Sequence, residues 1–159
     1  MGGWIVNTTF TQLADIVQRI RQAHQEVSAV FRQARDGKNE RSVMLVDFFS
    51  QREEELGCFL ASLQWNPDQD TGVLDKWVQF AGTEEFEAAL AAVHRAGQEE
   101  IDELIGKTLD LHEQIVRLLG RLTEGHTASN GGDQLSSVAE FERKAAKDLS
   151  AAVTAHGET

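Results

Sequence analysis

Apolar residues recur at Leu13, Ile16/Val17, Ile20, Val27, Val30/Phe31 and Ala34, a three-four spacing that describes one helical face over about residues 11–35. His24 falls on the same stripe, where a hydrophobe is expected. Asp36-Gly37-Lys38-Asn39 supplies a stop, with Gly37 suited to a left-handed cap. A second helix is predicted over about 40–64. Its first half, Val43-Met44-Leu45-Val46-Asp47-Phe48-Phe49, is apolar nearly all round, whereas a surface helix shows one stripe. That segment is therefore expected to be covered on two sides. The second half narrows to Leu56, Phe59, Leu60 and Leu63, with Arg52 and Glu55 interrupting the inward face. Trp65-Asn66-Pro67 ends the helix, because the residue before proline disfavours helical backbone.

Residues 66–96 read as a long crossover that packs across the bundle. It carries Trp77 and Phe80, and a short helix opens at Gly82-Thr83-Glu84-Glu85 with Phe86, Leu90 and Val93. Connections within bundles usually run about 2–8 residues, so a segment this long can let the second and third long helices run parallel. The third long helix is predicted over about 97–123, with Ile101, Leu104/Ile105, Thr108, Leu111, Ile115, Leu118/Leu119 and Leu122 inward. Residues 124–133, including Thr127-Ala128-Ser129-Asn130-Gly131-Gly132, read as a flexible loop. The last helix is predicted over about 135–155 with Val138, Phe141, Ala145, Leu149, Ala152 and Val153 inward. The fold class expected is all-α, one bundle domain over residues 1–159.

Charge narrows the function classes. Fifteen Lys plus Arg stand against 26 Asp plus Glu, a formal net charge of −11. An acidic surface repels phosphate backbones, and the basic residues lie at helical spacing among acids instead of on one clustered face, so nucleic acid is not an expected partner. No apolar run approaches the roughly 18 residues of a membrane span, and the start lacks a charged, then apolar leader. A cytoplasmic location is expected. The single cysteine, Cys58, cannot form an intramolecular disulfide, and between Gly57 and Phe59 it reads as a buried, inert thiol.

Four long helices with a crossover after the second are the layout of ferritin-like folds. Locally, the run from Ser42 to Leu56 resembles the second helix of small bacterial rubrerythrin-like proteins, where an apolar-Asp-aromatic run leads into carboxylate and histidine ligands. Leu74-Asp75-Lys76-Trp77 is similar to their crossover. The resemblance implies a ferritin-like four-helix bundle. Active members hold two iron or manganese ions with a Glu on each of two helices and a Glu-x-x-His on each of the other two. This chain contains no Glu-x-x-His: Glu53 is followed at i+3 by Leu56, Glu140 by Arg143 and Glu142 by Ala145. The family's metal chemistry is therefore not expected to carry over, and no catalytic, cofactor-binding or metal-binding residue is assigned.

What is left is a vestigial site with candidates His24, Arg52, Glu53, Glu55, His112 and Glu142. In that reading Arg52 serves as an internal cation in place of a metal, held by Glu55 and by Glu142. His24 alone among the histidines sits squarely on an inward stripe; His112 flanks one, and His94, His126 and His156 read as solvated. The function expected is a non-catalytic bundle, without cofactor, that works through assembly or partner binding. A homodimer through the second helix is the expected assembly, since closed two-fold dimers are the commonest. Two alternatives stand beside it. One is a metal-dependent oxidoreductase or iron-handling protein with an atypical site; the other is a helical sensor of a small apolar ligand.

Overall fold

The computed structural model describes residues 10–34, 40–62, 77–79, 83–124 and 130–157. Five helices occupy nearly all of them: α1 (Leu13–Ala34), α2 (Glu40–Ser62), α3 (Thr83–Ala96), α4 (Ile101–Glu124) and α5 (Asn130–Gly157). A three-residue ladder accompanies them, with β1 (Phe10–Gln12) antiparallel to β2 (Trp77–Gln79) and Thr11 opposite Val78. The all-helical class expected from periodicity is observed. Among the described residues no helix is long and apolar enough to cross a membrane.

Each long helix buries one stripe. On α1 it is Ile16/Val17, Ile20, Ala23/His24, Val27/Ser28 and Phe31; on α2, Leu45/Val46, Phe49/Ser50, Glu53, Leu56 and Leu60. On α4 it is Leu104/Ile105, Thr108, Leu111/His112, Ile115 and Leu118/Leu119, and on α5 Val138/Ala139, Glu142, Ala145 and Leu149. The hydrophobic ones, Leu56 and Ala145 apart, meet in one core cluster. Burial of a Leu, Ile or Phe side chain stabilises by roughly 1.5–3 kcal/mol, so the stripes, more than helix propensity, hold the bundle.

Paired residues give the helix directions. Between α1 and α2, Ser28 faces Ser50 and His24 faces Glu53, while Arg21 lies against Gly57, so the two are antiparallel. Between α2 and α5, Arg52 meets Asp148 and Phe59 stacks on Phe141 at 3.9 Å, so these are antiparallel too. Helix α3 runs with α1, because Arg19 binds Glu87 and Glu26 binds His94. The packed pairs α3/α4 and α4/α5 are joined by the short segments 97–100 and 125–129, which makes each pair a hairpin. Both routes round the bundle then agree: α4 runs opposite to α1 and parallel to α2.

The link between α3 and α4 depends on a glycine. A Cβ at Gly97 would stand 2.6 Å from Val30 Cγ1 on α1, so only glycine lets this turn approach the helix so closely. Its amide closes α3 by donating to the Val93 carbonyl, 3.0 Å. Helix α3 also carries Glu84 and Glu85 in its first turn and His94 and Arg95 in its last, the charge order that suits the helix dipole.

Several boundaries and positions differ from the sequence reading. The third long helix begins at Ile101, not Gly97, because residues 97–100 form the turn just described. The last helix begins at Asn130, so residues 130–133 are helical instead of loop. The propensity penalty of Gly131-Gly132 is small in a first turn, where the amides lack intrahelical partners anyway. Residues 125–129 of the expected loop lie outside the described residues, as do 66–76 of the crossover and Phe80. Cys58 is exposed, not buried: it points away from the stripe that Leu56 and Leu60 define.

Candidate metal centre

At mid-height the four long helices each turn one ionisable side chain inward. His24 comes from α1, Glu53 from α2, His112 from α4 and Glu142 from α5, and all four are 0% exposed. Their positions follow from helical spacing. Glu53 lies four residues after Phe49 and three before Leu56, and Glu142 lies four after Val138 and three before Ala145, so each carboxylate sits on its helix's core face.

The four form a ring in which histidine and glutamate alternate. His24 Nδ1 is 2.5 Å from Glu53 Oε2, and His24 Nε2 is 2.6 Å from Glu142 Oε1. His112 Nε2 bonds Glu53 Oε1. The fourth side stays open: His112 Nδ1 and Glu142 Oε2 are 3.7 Å apart, beyond hydrogen bonding, and neither has another partner although both are buried. The imidazoles lie 5.4 Å apart, tilted by 38°.

Burial acts most strongly on His24 and disfavours its charged form. The charges of Glu142 and Glu53 and their hydrogen bonds together outweigh it, and raise the pKa from 6.5 to about 10. Burial likewise disfavours the Glu53 carboxylate, but the charges and hydrogen bonds of His112 and His24 prevail and lower its pKa from 4.5 to about 2. A buried unpaired charge costs several kcal/mol in general; here the opposite charges compensate one another.

The chain matches no family model, no curated protein and no solved structure. Its site is therefore read from its own geometry.

Of the six candidates, four come together and two do not. Arg52 and Glu55 do not enter the core. Arg52 lies on the outer seam between α2 and α5, where it binds Glu55 Oε2 and Asp148 Oδ2, each at 2.8 Å, and the Glu55 side chain is 48% exposed. The expectation of an internal arginine held by Glu55 and Glu142 is thus corrected. A residue one step along a helix turns by roughly 100°, so with Glu53 inward Arg52 faces the flank.

A two-ion centre of the ferritin kind does not fit these residues. It needs two ligands from each of two helices, and here each helix supplies one, with Arg21 and Leu109 standing three residues before the two histidines. A single ion fits better. His24, Glu53 and His112 each offer a ligand atom within 4.8 Å of one another, a two-histidine, one-carboxylate set of the kind that binds first-row transition metals. The unpartnered His112 Nδ1 and Glu142 Oε2 show that the ring does not satisfy itself completely. A bound divalent ion would be held by the triad and supply positive charge to a core that contains two carboxylates.

Proposed function

We propose that this chain is a ferritin-like helical bundle that holds one divalent transition-metal ion at mid-height and acts through assembly instead of catalysis. The observation that carries the metal reading is the convergence of His24, Glu53 and His112, from three different helices, in the fully buried middle of the core. Isolated acidic residues recur by chance in an acidic chain; two histidines and two glutamates meeting with no exposure do not. The ferritin-like layout is supported by the parallel run of α2 and α4 after a long connection. The non-catalytic role is supported by the complete burial of the four side chains, which keeps the ring from bulk solvent. A sensor of a small apolar ligand is less favoured, because the middle of the core is polar.

A second reading has its own support. The bonds of 2.5 and 2.6 Å to His24 make the ring a charge-compensated network that needs no metal. Elemental analysis of protein purified without chelators separates the two. The metal reading expects close to one equivalent of a transition metal per chain, and uptake of zinc or cobalt by stripped protein. Less than a tenth of an equivalent, with no uptake, leaves the network alone.

The homodimer belongs to the same proposal. On α2, Leu45, Val46 and Phe49 face the core, while Met44 is 60% and Phe48 39% exposed. Being four residues apart, these two share one outward face. Light scattering at micromolar concentration should give twice the chain mass for the parent and the single mass for a Met44→Glu/Phe48→Glu variant; a monomeric parent removes the dimer. A cytoplasmic location is proposed as well, supported by the free, exposed thiol of Cys58.

A further inference from the structure

Each imidazole of the ring has two nitrogens, and the two carboxylates divide them. Glu53 faces Nδ1 of His24 and Nε2 of His112. Glu142 faces the opposite pair, Nε2 of His24 at 2.6 Å and Nδ1 of His112 at 3.7 Å. The three ligand atoms that cluster within 4.8 Å belong to His24, Glu53 and His112, and Glu142 is not among them. A histidine that binds a metal through one nitrogen keeps a proton on the other, and that N–H ordinarily donates to a carboxylate, which fixes the ring's tautomer and orientation.

We infer that Glu142 is the positioning carboxylate of this centre: it receives the outer N–H of both histidines and presents His24 Nδ1 and His112 Nε2 to an ion held beside Glu53. The inference rests on the metal reading. Three features of Glu142 carry it. It contacts the histidines from the side away from Glu53. It has one oxygen for each ring: Oε1 already engages His24, while Oε2 is buried, unpartnered and nearest to His112 Nδ1, which is itself unpartnered. It is 0% exposed, so bulk water does not take its place as acceptor. A small turn of the His112 ring or of the Glu142 carboxylate closes the remaining gap, and both histidines are then held by one residue on α5. The ion would thus be fixed by α1, α2 and α4 directly, and by α5 through the histidines.

The test is cobalt(II) binding by the stripped full chain, followed by equilibrium dialysis and by the visible d–d spectrum. The parent is expected to saturate at one cobalt per chain. Glu142→Gln, close to isosteric, should lower the affinity about 10–100-fold, yet saturate at the same stoichiometry with the same d–d band intensity, because the ligands are unchanged. Glu53→Gln, which alters a ligand, should lose more affinity and change the spectrum. In zinc-loaded, nitrogen-15-labelled protein the slowly exchanging ring N–H signals of His24 Nε2 and His112 Nδ1 should both move in Glu142→Gln, a response that a purely packing role does not produce. If Glu142→Gln fails to fold by circular dichroism, Glu142→Asp keeps the charge but shortens the reach, and the same loss of affinity is expected. Parent affinity in the variant that folds overturns the inference, and so does a saturated spectrum of different intensity, which would make Glu142 a ligand. A parent that takes up no cobalt overturns the metal reading itself, and the assignment with it.

Discussion

Arg52 and Glu53 are neighbours on α2, and each is bound by two oppositely ionisable partners. Arg52 holds Glu55 and Asp148, both more than 40% exposed; Glu53 holds His24 and His112, both fully buried. The chemistry is similar, but the solvent is not. Near the surface, water already stabilises the separated charges and each pair contributes about 0–1 kcal/mol. The core is closed to bulk solvent, so every group depends on its partners, and removal of one leaves the rest stranded. The inner ring is therefore costly to break, and the outer clamp contributes little.

The largest expected effect follows directly. Glu53→Ala should destabilise the stripped protein by about 3–5 kcal/mol, the general cost of leaving buried charge uncompensated, and should abolish metal uptake. Urea denaturation read at constant m value measures it. A companion variant sharpens the comparison. Replacing His24, Glu53, His112 and Glu142 together by leucine should leave stability unchanged or raise it, since buried ion clusters are commonly no better than well-packed hydrophobes. If the all-leucine core is the less stable one, the ring is there to hold the fold and the case for a metal weakens. If Glu53→Ala costs under 1 kcal/mol, the distinction between inner and outer clusters fails.

The next effect is pH dependence in the stripped protein. The folded-state pKa of His24 is raised, so its contribution is complete below 6.5 and is lost as pH rises through about 10. That of Glu53 is lowered, so its contribution is complete above 4.5 and is lost as pH falls through about 2. The two together place the maximum between 4.5 and 6.5. Arg52 binds Glu55 and Asp148, outside the ring. Urea midpoints between pH 3 and pH 10 in chelator should therefore fall above pH 6.5 in the parent and in Arg52→Ala alike, and fall less in His24→Gln. A parent curve flat from pH 6.5 to 10 contradicts the role given to His24.

How far this site was legible in the chain differs by residue. The stripe Ile16/Val17, Ile20, His24, Val27, Phe31 carries His24 inward without ambiguity, and α1 is observed with that face buried. On α2 the phase was hidden. Val43 to Phe49 is apolar all round, so the pattern there fits several inward faces, and Arg52/Glu55 could be taken for the interruption. The signal that resolves it is the narrower half: Phe49, Glu53, Leu56 and Leu60 form one three-four series, and Arg52 lies off it. Glu142 is readable in the same way between Val138 and Ala145. His112 follows directly on Leu111, and both are buried, because α4 is packed against both α3 and α5 and so covers a broader face than a single stripe. The convergence of the four groups was not legible at all. It depends on the relative height of four helices, which the core contacts and the Gly97 turn set and which no local pattern encodes.

The smallest expected effect concerns the outer clamp. Arg52→Ala removes two ion pairs, and an internal arginine would have cost several kcal/mol. The observed position predicts much less. The Arg52 side chain is 20% exposed, its partners are 48% and 42% exposed, and the pair with Glu55 is an i,i+3 contact on one helix. Such a same-helix pair contributes about 0.2–0.5 kcal/mol. The pair with Asp148 ties α2 to α5 and, being partly shielded, falls toward the upper end of the exposed range, about 1 kcal/mol. Part of the loss is packing, since Arg52 lines the same surface cavity as Phe48 and its stem can cover apolar surface there. Screening separates the two components: at 1 M salt the Debye length is about 3 Å, so the electrostatic part of the difference between Arg52→Ala and the parent should shrink while the packing part persists. Arg52→Met, which keeps the stem and drops the charge, should recover the packing part. Metal uptake should match the parent in both variants, because Arg52 faces away from the ring. A loss above about 3 kcal/mol in Arg52→Ala, the cost of breaking a buried pair, or a fall in metal stoichiometry, would return Arg52 to the interior and erase the contrast between the two clusters.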